Sequence, residues 1–548
     1  MAIEIYKKYM EEKMGADGNV ESCKLSIPDK FNFSYDVVDK IAEMEPQRRA
    51  MVWCNEQGER REFTFCDIKE QSDRAASYFR SLGIGKGDCV MMAVKRHYQF
   101  WFAILGLHKI GAIGVPVTYM LKLEEYIYRF EKLDIKAVIC TPDNDVASRV
   151  DEAEQMSGKK FMKIILRENR PGWHQFDEGL EKAEKFVPLT FEERPESGDT
   201  MLLYFTSGTE GMPKLVGHNF GYPVGHIPTA KYWHNVDPDG LHFTVADTGW
   251  AKSVWGKLYG QWLMGAAIYV LDYDSFTAHA LLTKMEEDKI TTLCAPSAFY
   301  RVMVLEDFSK YNLSTVKHYT VAGEALNPDV IEKFSRMTGK QIYEGYGQTE
   351  STLMIGVMHW MDVKAGAMGK PSLQYNMELL DEDGQIVPTG DVGEICVKAE
   401  PGEIPGMFLG YQGEDELNRS KWHDGIYHTG DLAWRDENGY YWFVGRNDDV
   451  FKSSGYRISP FEIESLIVKF PNVLECAVIG VPEKLRGNAI KAIIVLTNGT
   501  EPTQNLKIEI REFLKEHTAP YKVPRIIEFV DELPKTTSGK IRRNIWRK

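Results

Sequence analysis

The sequence predicts an α/β protein with a large N-terminal domain of mostly parallel sheets flanked by helices. A small β-rich subdomain and a small mobile α+β C-terminal domain follow. Three observations carry that reading. Helix-like and strand-like segments alternate through the first three-quarters of the chain, the rhythm of βα units. After about residue 385 short strands separated by tight polar turns replace it. At 548 residues the chain also exceeds what one hydrophobic core serves, so at least two domains are expected.

In order, FCDIKEQSDRAASYFRSLG is an amphipathic helix closed by Gly83, and DCVMMAV is a buried strand after a Gly-Lys-Gly-Asp turn. QFWFAILGLHKIG reads as helix and IGVPV as strand, and KAVICT, KKFMKIIL, AAIYVLD and TTLCAP continue the series. Short apolar strands between helices imply sheets covered on both faces. Beyond them EICVKAE, YYWFVGR and DVFKSSGYR are short strands, with turns such as the one at 436–439. PFEIESLIVKF (helix), LECAVIGV and IKAIIVL (strands), LKIEIREFLKEH (helix) and RIIEFV (strand) then form a compact α+β unit. Small, polar and charged residues at 445–449 suit a linker, which places the domains at 1–447 and 448–548; a simple turn is the alternative.

Acidic residues number 80 against 66 basic ones, for a net charge of -14. That balance argues against general nucleic-acid binding, which needs a basic face to displace counterions. Apolar runs such as FWFAILGLHKIGAIGVPV are broken by His108, Lys109 and glycines, so no membrane span is expected. The N-terminus is charged and amphipathic, unlike a signal peptide. Eight scattered cysteines form no CxxC pair, which suggests reduced thiols in a cytoplasmic protein rather than zinc or disulfides.

The chemistry-bearing stretch is TSGTEGMPK, directly after the strand-like MLLYF. Thr206, Ser207 and Thr209 offer hydroxyls, Gly208 and Gly211 let backbone N–H groups approach an anion, and Lys214 adds a mobile charge. Pro213 makes this a loop rather than a helix start, and the pattern is not GxxxxGK followed by Ser or Thr. Alone, it could equally be a Gly/Ser-rich surface turn. Further along stand YGQTE (346–350), YHTGD (427–431), Gly445-Arg446, SGYR (454–457) and PKTTSGK (534–540).

In this order and spacing, the segments resemble the signatures of the adenylate-forming superfamily over nearly the whole chain. Within it, ADTGWAKSVW (246–255), SSGYRI and TAPYKVPR resemble the medium-chain acyl-CoA synthetase subgroup. The resemblance implies an AMP-forming acid–CoA ligase that uses ATP, Mg²⁺ and coenzyme A. A carboxylic acid attacks the α-phosphorus of ATP, pyrophosphate leaves, and CoA thiolate then takes the acyl group from the acyl-adenylate. The implied nucleotide site comprises Thr206, Ser207, Gly208, Thr209, Glu210, Gly211 and Lys214, then Gly323, Glu324 and Ala325. It continues with Glu344, Gly345, Tyr346, Gly347, Gln348 and Thr349, and with Asp431, Arg446 and Arg457.

Glu350 is the implied Mg²⁺ ligand and Thr349 a donor to the α-phosphate, while Asp431 suits both ribose hydroxyls. Lys540 is the implied catalytic lysine, although KTTSGKIRR on its own reads as a basic tail. Arg542 and Arg543 beside it read as solvated. Asp448 is the implied hinge. Ser454, Gly455 and Tyr456 would line the pantetheine route, with Arg486 and Lys515 near CoA phosphates.

Acetate-specific members carry a tryptophan where this chain has Gly347. Its absence is expected to open room for several methylenes, each worth about 0.8 kcal/mol when buried. Trp250 and Trp255 would border or plug that tunnel, or serve as core aromatics, and Lys252 would meet the carboxylate or lie exposed. The expected substrate is a short-to-medium-chain acid, straight, branched or aromatic. Delivery to a carrier protein and an acetate-type ligase are the alternatives; the chain ends eight residues after Lys540, which favours free CoA as acceptor. The sequence leaves a homo-oligomer open.

Overall fold

In the computed structural model, residues 3–206, 212–275, 277–454, 456–483, 487–536 and 540–546 are described. The predicted βα alternation builds two sheets. One has seven strands in the order Leu215–Asn219, Thr200–Phe205, Ile113–Pro116, Cys89–Ala93, Ile135–Cys140, Met162–Ile165, His174–Gln175. All its pairings are parallel except the first. Helix Phe65–Ser81 starts on a capping box in which Thr64 and Asp67 satisfy each other's backbone N–H groups. Helix Gln99–Ile110, buried along its entire length, packs against it and ends at Gly111, whose φ of +74° suits only glycine well.

The second sheet has fourteen strands. Its parallel half runs through Arg49–Asn55, Ala267–Asp272, Leu241–Thr244, Thr292–Ala295, His318–Ala322 and Ile342–Tyr346. The β-rich subdomain expected beyond residue 385 is a continuation of this sheet. Strands Ile355–Gly356 and Ala367–Pro371 carry antiparallel hydrogen bonding from Ile342–Tyr346 across to Tyr441–Arg446, Ile426–Arg435 and Val392–Lys398. The loops after Thr200–Phe205, His318–Ala322 and Ile342–Tyr346 all leave from carboxyl ends of strands, where open α/β sheets bind ligands.

Strand Tyr441–Arg446 leads into a turn at 447–449, then into the C-terminal unit. There Val473–Glu483, Gly487–Leu496 and Ile526–Phe529 form a three-stranded sheet carrying helices Pro460–Ile467 and Gln504–His517 around a separate apolar core. Among the described residues its contacts with the rest are partly polar. Asn327 Nδ2 donates to Ser465 O at 3.4 Å, Lys469 pairs with Asp329 at 3.4 Å, and the Phe443 and Phe461 rings lie 5.6 Å apart.

Arg543 corrects one expectation. It is not a solvated residue but forms a two-pronged ion pair with the buried Glu464, at 2.9 and 2.7 Å, and reaches Asp449 at 3.3 Å. The tail is thereby tied to helix Pro460–Ile467 and to the residue after Asp448. Among the described residues no helix is long and apolar enough to cross a membrane, and all eight cysteines are free.

Candidate active site

The hairpin joining Thr200–Phe205 to Leu215–Asn219 frames the first wall. Thr206 donates its N–H to Lys214 O at 2.8 Å, and its Oγ1 accepts from Lys214 N–H at 3.4 Å. Ser207, Gly208, Thr209, Glu210 and Gly211 lie outside the described residues. Tyr128 holds the loop's far end by donating to Pro213 O at 2.8 Å. Lys214 Nζ sits 5.8 Å from the ring centre of Tyr411, and Tyr411 OH donates to Glu350 Oε1 at 2.7 Å. One aromatic side chain thus links the loop lysine to the proposed metal-binding carboxylate. Among the described residues no other donor bonds that carboxylate, so it keeps an oxygen for a hard cation, as the chemistry of Mg²⁺ requires.

Strand Ile342–Tyr346 supplies the floor. Asp431, 5% exposed, accepts at Oδ2 from Tyr346 OH at 2.7 Å and from Gln348 Nε2 at 2.6 Å. Tyr427 OH donates to Gln348 Oε1 at 2.9 Å and so fixes which way the amide faces. Burial, then the Asp431 charge, push the Tyr346 phenol well up, so it stays a proton donor. Arg446, paired across the strands with Asp431, places Nη1 3.9 Å from Oδ1 and bonds Asp448 through Nε at 3.0 Å. Thr349 is anchored by its carbonyl, which accepts from His218 Nε2 at 2.8 Å. A cavity of about 530 Å³ opens beside these groups, lined by Lys214, Lys421, His428, Gly430, Arg446 and Asp448.

At the end of His318–Ala322, Gly323 has φ +105° and Ser297 Oγ donates to Glu324 O at 2.8 Å. Lys252, half-buried rather than exposed, donates from Nζ to Ala322 O at 2.5 Å, and burial lowers its pKa. Trp250 precedes the short helix Ala251–Gly256, which carries Lys252 and Trp255. The room that Gly347 was expected to open is occupied. A Cβ at 347 would lie 2.4 Å from Trp255 Cη2 and 2.6 Å from Thr352 O. The indole absent from position 347 is replaced by one arriving from position 255.

Other residues stand apart. Lys540 is exposed, its carbonyl accepts from Thr536 N–H at 2.7 Å, and its ammonium bonds none of the groups above among the described residues. Ser454 is exposed with φ +52°, Tyr456 is 52% exposed and stacked on Tyr521 at 4.1 Å, and Lys515 pairs with Glu512. Gly455 and Arg486 lie outside the described residues, and only the backbone of Arg457 is described, in strand Tyr456–Ile458. Sequence reasoning missed Tyr411, Tyr427 as a donor, and His218. Their partners are distant in the chain, and of the three only Tyr427 lies within a motif, YHTGD.

The family profile described as AMP-binding enzyme matches residues 38–412, and that of the AMP-binding enzyme C-terminal domain matches 462–540. Acyl-coenzyme A synthetase ACSM3, mitochondrial, of Mus musculus is 35% identical, covering 99% of this chain and 95% of its own. The 4-hydroxybutyrate–CoA ligase 1 of Metallosphaera sedula is 39% identical, over 95% of this chain and 90% of its own. Among solved structures, the anthranilate CoA ligase AuaEII in complex with anthranoyl-AMP superposes with a TM-score of 0.86 at 27% identity, covering 95% of this chain and 97% of that one.

Glu344 gives a pH test of the floor. Its Oε1 accepts from Leu326 N–H at 3.0 Å, yet burial pushes its pKa from 4.5 up to about 7. A carboxyl raised in the folded state contributes fully below its unfolded pKa, and that stability is lost as pH rises through the folded one. Glu344→Gln removes the titration. Between pH 5 and pH 8 the parent is expected to lose more thermal stability than Glu344→Gln, by an order of ~1–3 kcal/mol at the upper end. A constant offset between the two melting curves across this range would contradict the assignment.

Proposed function

We propose, for a chain that belongs to the AMP-binding enzyme family, that its acid is short to medium in length and held against Trp255. The chain is an AMP-forming acyl-CoA synthetase: it activates a carboxylic acid with ATP as an acyl-adenylate and passes the acyl group to coenzyme A. Acid size is read from one observation, the Trp255 ring seated on Gly347. A long chain would have to displace an indole that is 6% exposed, which a short tail need not do. Straight, branched and aromatic acids of that size fit the proposal. So does 4-hydroxybutyrate, the acid in the name of the Metallosphaera relative.

In the proposed first half-reaction, Thr206 to Gly211 and Lys214 hold the β- and γ-phosphates, and Thr349 donates to the α-phosphate. Glu350 would hold Mg²⁺, which supplies charge neutralisation on the phosphates. Gly323 to Ala325 and Glu344 to Gly347 border the adenine. Asp431 accepts the ribose hydroxyls, its second oxygen having lone pairs to spare while Oδ2 serves Tyr346 and Gln348. Arg446 lies beside it, with Arg457 following the hinge. In this reading Lys252 meets the acid's carboxylate, which its bond to Ala322 O at the edge of the site supports, and Trp250 and Trp255 bound the tail.

Lys540 serves the transition state of adenylation, which requires the C-terminal domain to turn from the arrangement described above. Residues 448–548 form the mobile unit and Asp448 its hinge; the partly polar contact with the rest of the chain supports this, since polar pairs of this kind exchange readily with water. In the second orientation Ser454, Gly455 and Tyr456 line the pantetheine route, with Arg486 and Lys515 toward the CoA phosphates. The exposed ring of Tyr456 supports a role in contact rather than in the core.

Two measurements test the reading. Lys540→Ala is expected to slow adenylation a hundredfold or more, about 3 kcal/mol of transition-state stabilisation, while thioester formation from a supplied acyl-adenylate is retained. Equal losses in both half-reactions would contradict the one-orientation role. Trp255→Ala is expected to move the chain-length optimum of kcat/KM toward longer acids in graded steps, since each methylene is worth ~1–3 kcal/mol of discrimination. An unchanged C2-to-C10 profile in a folded Trp255→Ala variant would place the acid elsewhere.

A further inference from the structure

Strands Val392–Lys398 and Ile426–Arg435 bring a sulfur, a nitrogen and an oxygen ligand together beside the nucleotide floor. Cys396 Sγ lies 3.5 Å from His428 Nδ1, which lies 3.0 Å from Glu394 Oε2. All three atoms fall within 4.8 Å of one another. The strand register accounts for the meeting. Cys396 is paired across the strands with His428, whereas Glu394 is paired with Leu432. Two steps on one strand answer four on the other, and the surplus bulges at Gly430, whose φ is +78°. At that bulge Gly430 N–H donates to Glu394 Oε1 at 2.7 Å, leaving Oε2 on the side of His428. No CxxC spacing marks the trio, because Cys396 and His428 are 32 residues apart.

Hydrogen bonding alone leaves these atoms crowded. Nδ1 bears at most one hydrogen, yet both Sγ and Oε2 stand within its reach. An ion bound through about 2.0–2.3 Å to sulfur, nitrogen and oxygen holds neighbouring ligand atoms roughly 3–4 Å apart. The two separations at Nδ1 already match that spacing. The place is also reachable. Cys396 is buried, but Glu394 and His428 are half-buried and line the cavity of about 530 Å³ described above. His423 lines it too, exposed and with its ring stacked on that of His428 at 4.1 Å. Lys421 is the adverse neighbour in that cavity. A thiolate and a carboxylate together neutralise a dication, so an occupied site presents no added charge to it.

We propose that Cys396, His428 and Glu394 form a binding site for a borderline-soft divalent cation of the Zn²⁺ class, separate from the Mg²⁺ assigned to Glu350. The fourth position faces the cavity, where His423 and water are the available ligands. As the sulfur–metal bond forms, the Cys396 thiol gives its proton to solvent. Ligand softness sets the choice of ion. Thiolate and imidazole favour Zn²⁺ or Co²⁺, whereas Mg²⁺ and Ca²⁺ prefer a shell of oxygens. Glu394 keeps Oε1 on Gly430 N–H while Oε2 binds the ion, so the backbone orients the ligating carboxylate. Occupancy ties two strands together next to Asp431 and stabilises the folded chain.

The experiment titrates the reduced, full-length chain with Co²⁺ and follows absorption, a readout independent of turnover. A thiolate-to-cobalt charge-transfer band is expected to grow to one equivalent. Zn²⁺ is expected to bleach it stoichiometrically, and a large excess of Mg²⁺ to leave it in place. Cys396→Ser is expected to abolish the band, and Zn²⁺ to raise the melting temperature of the parent but not of that variant. Glu394→Gln preserves shape at a half-buried position, which covers a failure of the buried Cys396→Ser to fold. It is expected to weaken Co²⁺ binding by about tenfold or more. A band that survives Cys396→Ser overturns the proposal, since another of the eight cysteines then holds the ion. So do unchanged affinity in Glu394→Gln, displacement by Mg²⁺, and a folded parent that shows no charge-transfer band.

Discussion

The Asp431 carboxylate is the constraint from which the site is built. It is a buried acid, and a buried charge persists only where donors replace water. Tyr346 OH and Gln348 Nε2 are those donors, and both sit on the segment leaving the last parallel strand. Asp431 itself belongs to the antiparallel strand Ile426–Arg435. The two halves of the fourteen-stranded sheet are therefore clamped where the nucleotide is proposed to lie. Tyr427 orients Gln348 from the same strand, and Tyr411 holds Glu350 from the loop packed beside it. Charge-assisted hydrogen bonds of this kind are short and directional, which suits a site proposed to hold its geometry while the C-terminal domain turns.

That second domain is tethered lightly on one side and firmly within itself. Among the described residues its meeting with the large domain includes the Phe443–Phe461 ring pair, the Lys469–Asp329 ion pair and hydrogen bonds around helix Pro460–Ile467. Inside it, Arg543 closes on Glu464 and Asp449, so the segment bearing Lys540 is referenced to the turn that bears Asp448. A rotation at that turn would carry the lysine as part of a rigid unit. These ties support the proposal that Lys540 serves in one orientation and is far away in another.

Much of this was legible in the sequence, for reasons that differ by residue. Strands and helices of the large domain carried their own periodicity, and Gly83 and Gly111 marked helix ends because few other residues adopt their backbone angles. The order of the motifs named Asp431, Glu350 and Lys540 as candidates together, and the fold brings the first two to one site while Lys540 stands apart. What stayed hidden depends on tertiary neighbours. Gly347 implied an open pocket, but only the fold brings Trp255 onto it. Arg543 sat in a basic run and looked solvated, because Glu464 and Asp449 reach it only through the fold. The continuity of the β-rich subdomain with the parallel sheet depended on Ile355–Gly356, a strand too short to show a pattern.

The central claim is that Asp431, held by Tyr346 and Gln348, anchors the ribose of the nucleotide. Calorimetric affinities of AMP and 2′,3′-dideoxy-AMP, measured on the parent and on Asp431→Asn, test it most directly. Hydrogen bonds to a charged group are worth about 1.5–3 kcal/mol each, so the parent is predicted to bind AMP at least tenfold more tightly than the dideoxy analogue. In Asp431→Asn the two nucleotides are predicted to bind with nearly equal, weakened affinity. A parent that does not distinguish them, or a variant that distinguishes them as well as the parent does, would contradict the account.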